Sequence, residues 1–539
     1  MTLRTLVLLG VLHLLAAGLF LGGCGWGFPL DDSWGHLVYG RALATLEGLS
    51  YNPGQPEAGV TSPLWTYLVA LPAGLVEWGL LERPDWGVRA LGLLCGLWAC
   101  VVGTRLALRG GRFTGLCAAL LLTFDPLLLA GRFSGMELPL FGLLVLLYAE
   151  AALGDRAARL GWICGLLCLT RPEGLLLLAL AAPRQLRGRA RVLAFLPPVL
   201  VCLLPFAAFN LWVAGQPWPN TWSNKAELAD ELGALSAAWT ALGALGGDTG
   251  LGWALPLLLA AGTFSLDGAH HRLARSLLLP GLALLAGVLL TRALEVGFDP
   301  PRVPFYFERY ALLAWPPLLV VAAGGLSSLA RTAWTGLFCR PRAALVLAAP
   351  LLLVVALARE APTHARDVAR RFAAECADVE ALNVAAGRWI DANLSRTAVV
   401  ATHDAGAVRY FGRRHVLDLY ANNDARLAEL QRAALAADAT RDHEAARRAH
   451  QAVLDEVRAH DPDALACFPI QFAAAHSPEL DVALRELQEP RRSQLAALAD
   501  DWTAVLGLTR RAASFHVDVP HVMDSPVHRD FAIFVRPMP

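Results

Sequence analysis

Charge is scarce in this chain, and lysine is scarcer still. Asp, Glu, Lys and Arg make up 17% of its 539 residues and hydrophobic side chains 56%, a balance too apolar for a soluble protein of this length. The composition is that of a polytopic membrane protein. Formal net charge is zero and no basic tract is interleaved with aromatic residues, which argues against nucleic acid as a partner. Metal-ligand spacing is missing from the cysteines: Cys24, Cys95, Cys100, Cys117, Cys164, Cys168, Cys202 and Cys339 lie in or beside apolar runs and read as small packing residues. Cys376 and Cys467 fall in the polar C-terminal part, where an oxidising compartment would allow a disulfide. That part also has no glycine-rich phosphate loop and no metal-ligand cluster, so nothing in it announces independent catalysis.

What the chain does have is a series of apolar runs separated by short arginine-rich loops, the mark of the cytoplasmic side. Such loops recur at Arg109 and Arg112; Arg156 and Arg159; Arg184, Arg187, Arg189 and Arg191; Arg272 and Arg275; and Arg331, Arg340 and Arg342. Spans traced between them cover about 5 to 23, 88 to 107, 113 to 131, 137 to 153, 192 to 213, 250 to 266, 276 to 294, 307 to 327 and 343 to 358. Residues 160 to 183 begin and end beside arginine-rich loops, so they read as a hairpin of two short helices turning at Thr170-Arg171-Pro172-Glu173-Gly174. A charged turn at that depth faces protein or a water-filled cavity. Pro63 to Leu81 is apolar enough to span, but counting it inverts every later basic loop. It reads as a helix along the outer interface, anchored by Trp65, Tyr67 and Trp78. The result is eleven spans, with the N-terminus inside and the C-terminus outside. Leu21-Gly22-Gly23-Cys24 also resembles a lipoprotein cleavage site, but the later spans and the segment at Asp31 favour an uncleaved anchor.

From about Arg359 the composition becomes that of a soluble domain. Helical patterns over about 363 to 392 and 425 to 459 alternate with strand-like runs at Thr397 to Thr402, His415 to Tyr420, Ala464 to Pro469, Ser514 to Val519 and Phe531 to Val535. The expected architecture is a membrane helix bundle over residues 1–358 followed by an extracytoplasmic α/β domain over 359–539.

Two adjacent carboxylates, Asp31 and Asp32, follow the first apolar run and open an outer loop. Paired carboxylates at the edge of a low-dielectric slab repel one another and lose hydration, which suits one of them to accept a proton. The plainer alternative is a solvated loop start. On the same outer face the traced topology gathers Arg132 to Glu137, the turn at Arg171 and Glu173, Asn220 to Lys225, and Glu295 to Tyr310, a set that a shared outward cavity can hold. Lys225 is the only lysine beside 45 arginines. Either a compact ammonium is required there, or a surface lysine survived by accident. As a point charge it suits a phosphate, to which Arg171 or Arg309 could add a bidentate fork. The pattern fits a lipid-linked phosphosugar held at the membrane surface while a carboxylate deprotonates an acceptor hydroxyl. Asp31, nearest the membrane plane, is favoured as base. Asp32 would then hold the acceptor or, with Asp31, a divalent cation such as Mg²⁺, Mn²⁺ or Ca²⁺.

The motifs in order are Asp31-Asp32 with Tyr39 and Arg41, Gly48, Tyr51-Asn52-Pro53-Gly54, Thr61-Ser62-Pro63-Leu64-Trp65, Ser134-Gly135-Met136-Glu137, Thr170-Arg171-Pro172-Glu173-Gly174, Pro219-Asn220-Thr221 with Lys225, Arg309-Tyr310, and Asp404-Ala405-Gly406 followed by Asp418-Leu419. In this order and spacing the chain resembles, over nearly its whole length, the GT-C type polyprenyl-phosphate-dependent glycosyltransferases, in the branch of the bacterial terminal arabinofuranosyltransferases. The resemblance implies a catalytic aspartate in the first outer segment, an amphipathic helix between the first two spans, an isoprenoid-phosphate donor and an inner-membrane location. Relatives often carry a carboxylate just before Gly-x-Thr-Ser-Pro-Leu-Trp, where this chain has Ala58, with Glu57 one place earlier. Substrate-binding candidates are Tyr39, Arg41, Glu57, Ser62, Glu137, Arg171, Glu173, Asn220, Lys225, Arg309, Tyr310, and His403 and Asp404 at the mouth of a C-terminal cap that binds acceptor. The acceptor would be a glycan, lipid or protein of the envelope. A polytopic transporter and a non-catalytic envelope scaffold are the rival readings; the first predicts inverted repeats and midplane charges, which the sequence does not show.

Overall fold

A computed structural model describes residues 2–22, 25, 27–221, 254–263, 268–294, 309–339, 344–439, 443–468, 506–508, 510–517 and 530–537. Lys225, most of the loop that carries it, Glu295 and Cys24 lie outside these residues. The first helix, α1 (Leu3–Leu21), is capped by Thr2, whose hydroxyl accepts from the Thr5 amide. It leaves Leu3, Val7, Leu14 and Leu19 more than half exposed, the surface of a helix that meets lipid.

The segment read as a loop after Asp31 is a helix, α2 (Asp31–Ala44). Trp34, His36, Leu37, Val38 and Tyr39 are buried, so packing on nearly every side holds the helix, and the two carboxylates occupy the first turn, where the helix dipole favours negative charge. The residue before it, Leu30, makes no side-chain cap, which hid the helix start in the sequence. A short hairpin, β1 (Ser50–Asn52) and β2 (Gln55–Pro56), leads to α3 (Pro63–Glu77), which opens with proline at its first position. This is the expected helix between the first two spans, and α2 packs along it. Of its three expected interfacial anchors, Tyr67 and Trp78 are exposed, but Trp65 is not an anchor. It is fully buried and donates from Nε1 to the Gly135 carbonyl at 2.9 Å, which fixes α3 to the turn at Gly135.

Helix α4 (Pro84–Ala107) follows, and then a break where one straight span was expected: α5 (Arg112–Phe124) and α6 (Pro126–Phe133) meet at 49°. Pro126 lacks an amide hydrogen, and Asp125 accepts instead from the Leu128 amide at 2.9 Å and from Trp315 Nε1 at 3.1 Å. Arg132 folds back onto the carbonyls of Leu122 and Thr123, so the backbone groups freed by the break stay paired away from water. The chain continues through α7 (Leu138–Leu153), the expected hairpin α8 (Ala157–Thr170) and α9 (Gly174–Gln185), and α10 (Arg189–Ala214), then α11 (Ala254–Thr263), α12 (Gly268–Leu294) and α13 (Trp315–Cys339). Among the described residues three helices, Leu3–Leu21, Pro84–Gly110 and Arg189–Ala214, are long and apolar enough to cross a membrane, or four if the bent pair is one span. Others, such as Leu138–Leu153, are apolar but shorter.

The boundary expected near residue 358 falls inside a helix. α14 (Ala344–Val379) runs through it, widens into one π turn at Glu380–Val384 and continues as α15 (Ala385–Asn393). Beyond lie β3 (Val399–Thr402), α16 (Ala405–Gly412), β4 (His415–Asp418), α17 (Ala425–Ala439), α18 (His443–Ala459), β5 (Ala464–Cys467), β6 (Arg510–His516) and β7 (Asp530–Val535). The sheet order is β4-β3-β5-β7-β6, with β4, β3 and β5 parallel and β7 antiparallel to both its neighbours, β5 and β6. β4 and β5 flank β3 on opposite sides, and α16 starts at the carboxyl end of β3. Cys467, on β5, and Cys376, near the end of α14, are both buried free thiols, so the disulfide allowed by the sequence is not formed.

Candidate active site

Asp32 projects from the first turn of α2 with its side chain 55% exposed, and its Oδ2 accepts from Nη1 of Arg309 at 2.7 Å. Arg309 is buried and approaches from the chain just before α13. Its Nη2 donates to the Tyr310 hydroxyl at 3.1 Å and its guanidinium lies 5.0 Å from the centre of the Tyr310 ring. The Arg171 guanidinium stands 5.1 Å from the same ring. Arg171 sits at the tip of the α8–α9 hairpin, where Nε and Nη2 form a fork onto Glu173 at 3.1 and 2.9 Å while Nη1 donates to Glu137. Glu137 also faces His36 Nε2 at 3.4 Å, and His36 Nδ1 lies 3.4 Å from the Thr66 hydroxyl. A continuous polar row thus runs Asp32, Arg309, Tyr310, Arg171, Glu137, His36. Sequence reasoning had most of these residues but omitted His36, whose place three residues before Tyr39 carried no pattern of its own.

Ser62 and Asn220 hold neighbouring backbone. The Ser62 hydroxyl donates to the Thr170 carbonyl at 2.5 Å, pinning the hairpin to the start of α3. The Asn220 amide donates to the Ala58 carbonyl at 2.9 Å, and Gln216 donates to its side chain at 3.1 Å.

Asp31 is turned the other way. Its Oδ2 accepts from the Gly406 amide at 2.6 Å and its Oδ1 from the Ala407 amide at 2.8 Å, at the N-terminus of α16. Burial pushes its carboxyl well above the usual range, Asp404 adds to that, and the two amides oppose it. With both oxygens so engaged, a cation shared by Asp31 and Asp32 would require Asp31 to leave those donors, and among the described residues no group of three or more His, Cys, Asp or Glu could hold a metal ion. The residues present do not fit the shared cation.

Tyr39, Arg41 and Glu57 join the same seam. Tyr39 donates to Asn423 Oδ1 at 2.7 Å, and Asn423 donates to Asp418 at 2.8 Å. Arg41 donates to the Tyr410 carbonyl at 2.9 Å with its guanidinium 4.7 Å from that ring. Burial, with Asp424 second, pushes Glu57 up to about 8, and burial pushes Asp418 up to about 7. Asn52 exchanges two 2.9 Å hydrogen bonds with the backbone of Val416, so its amide covers the open edge of β4. Tyr51 donates to the Ala405 carbonyl and its own carbonyl accepts from Arg409 at 3.1 Å. His403 does not stand at a mouth. It is buried, with the rings of Phe468, Tyr420 and Phe531 at 5.2, 5.7 and 6.1 Å, and burial pushes it down to about 3. Asp404 accepts from Asn383 at 2.8 Å.

Solved structures with this arrangement of helices exist. ArnT from Cupriavidus metallidurans bound to undecaprenyl phosphate superposes with a TM-score of 0.52 at 14% identity, covering 99% of this chain and 98% of that one. Apo ArnT from the same organism gives 0.50 at 14%, covering 90% and 94%. The Archaeoglobus fulgidus oligosaccharyltransferase, tethered to an acceptor peptide containing the NVT sequon, gives 0.51 at 12%, covering 95% and 73%. These are GT-C glycosyltransferases. The chain shares their fold. At such identities the likeness is one of fold alone, and it does not single out the arabinofuranosyltransferase branch. Residues 373–522 match the model of a domain of unknown function (DUF8728). No curated protein matches the sequence.

Proposed function

We propose that this chain is an integral-membrane glycosyltransferase that moves a sugar from a polyprenyl-phosphate donor to an envelope glycan, lipid or protein acceptor, with Asp32 as the base. The observation that carries this reading is the open carboxylate of Asp32 beside the buried Arg309 guanidinium, 2.7 Å apart, on a GT-C fold. Asp32 takes the proton of the acceptor hydroxyl as that oxygen bonds to the anomeric carbon; the bond from that carbon to the phosphate oxygen breaks, and polyprenyl phosphate leaves. Arg309 answers the charge that gathers on the departing phosphate, and Lys225 is assigned to the same phosphate as a point charge. Asp31 is the weaker candidate for the base because two backbone amides hold its oxygens. Arg171, forked onto Glu173 and bonded to Glu137, supports the hairpin turn in this reading, with Tyr310 between it and Arg309.

The same proposal places the protein in a bacterial inner membrane with eleven spans and the sheet-bearing part outside. The arginine loops, the three long apolar helices and the shorter ones support that topology. Purified protein given a panel of polyprenyl-phosphate sugars and envelope acceptors is expected to release polyprenyl phosphate. Donors left intact throughout the panel would contradict it, and would favour a transporter or a scaffold.

A further inference from the structure

The carboxyl end of β3 leads directly into α16, and such a strand end presents a helix N-terminus to an anionic ligand in an open α/β sheet. Here that place is filled from within the chain. Asp31 of α2 sets one carboxylate oxygen on each of two amides in the first turn of α16, Gly406 and Ala407, at 2.6 and 2.8 Å. The approach depends on glycine: a Cβ at residue 406 would lie 2.1 Å from the Asp31 carbonyl oxygen and 2.7 Å from its Oδ2. Around this contact the Tyr51 hydroxyl bonds the Ala405 carbonyl, Arg41 bonds the Tyr410 carbonyl, and Trp34 packs on Phe411 with ring centres 4.7 Å apart. Asp31, Trp34 and Arg41 hold α2 along its length against α16, and Tyr51 ties β1 to the same helix.

Asp32 is the next residue of that turn. Its carboxylate faces Arg309 while Asp31 faces α16, so the backbone shared by the two aspartates is held from the C-terminal side. We propose that Asp31 is a positioning residue, and that the α16 amides of Gly406 and Ala407, by holding it, set Asp32 against Arg309, so that the C-terminal sheet domain completes the catalytic site. The inference rests on Asp32 being the base. It makes the C-terminal domain a structural part of the transfer machinery, whatever acceptor it also meets.

Steady-state transfer by purified, full-length variants tests this. Asp31→Asn keeps size but replaces one acceptor oxygen with a donor, and Gly406→Ala forces the two segments apart. Both are expected to lower kcat by about 10²-fold, the cost of roughly 1 Å of misplacement, with donor KM near the wild-type value. Undecaprenyl phosphate should bind both at wild-type stoichiometry, which separates a misplaced base from a loss of folded protein. Hydrogen exchange in the peptide covering 404–408 should be slow in wild type and fast in Asp31→Asn, a measurement that holds if Gly406→Ala fails to fold. Wild-type kcat in both variants, or kcat falling only in step with binding stoichiometry, overturns the positioning role. An Asp32→Asn control that is inactive in the first case leaves the base assignment standing. If Asp32→Asn itself transfers at the wild-type rate, both assignments fall.

Discussion

Arg171 stands between two carboxylates, Glu137 and Glu173, which are 2% and 15% exposed at the side chain. Removing one partner of a buried ion pair strands the other in low dielectric and costs about 3–5 kcal/mol. Arg171→Ala is therefore expected to lower the thermal stability of the purified protein strongly, and Arg171→Lys to recover only part of it, since an ammonium cannot reproduce the fork onto Glu173. Stability unchanged in Arg171→Ala would return this residue to the phosphate role that the sequence suggested. Arg309 differs, because its carboxylate partner is open to solvent. Arg309→Lys should keep the fold and reduce transfer, with Arg309→Ala worse, measured as kcat under saturating donor. Residue identity alone could not separate these two arginines, both of which follow the same motif logic. What separates them is which carboxylates the fold delivers to each.

At the scale of elements, the seam between α2, the β1–β2 hairpin and the β4 end of the sheet holds carboxylates whose pKa values burial raises, Glu57 to about 8 and Asp418 to about 7. An acid raised in the folded state stabilises most fully below its unfolded value of about 4 and loses that contribution as pH rises through its folded value. His403, pushed down to about 3, works in the opposite direction and removes stability as pH falls below about 6.5. Between about pH 6.5 and 8 only the carboxylates act, so thermal stability should decline with rising pH there, and Glu57→Gln should flatten the decline. A melting temperature that rises across that window in wild type contradicts the burial of this seam. The hairpin α8–α9 was legible because Arg171-Pro172-Glu173-Gly174 interrupts an apolar run with turn residues, and five strands were legible from short apolar runs. Helix α2 was not, since Leu30 provides no cap and a helix buried on nearly every side shows no polar face to mark its period. The break at Asp125-Pro126 was missed for a related reason: the apolar run continues across it, and only the return of Arg132 onto Leu122 and Thr123 reveals it.

At the scale of the molecule, the membrane part and the sheet part are not separable at the boundary composition suggested. α14 runs through residue 358, Asn52 covers the edge of β4, and Asp31 caps α16. None of these long-range pairings has a local signal, because the partners lie more than 360 residues apart. A chain ending near Arg359 should therefore lose transfer even if it inserts, and a truncated protein active at the full rate would show the two parts to be independent. A reporter fused after Pro539 should be found outside the cell membrane; a cytoplasmic reporter would overturn the eleven-span topology and the one-sided site. In the proposed transfer Asp32 removes the proton of the acceptor hydroxyl. Asp32→Asn keeps size and leaves a hydrogen-bonding partner for Arg309 but no base, and general-base contributions are about 10²–10⁴-fold. The direct measurement is sugar transfer from a polyprenyl-phosphate donor by purified, folded Asp32→Asn beside wild type. A loss of that size with donor binding retained is the predicted result, and transfer at the wild-type rate would contradict it.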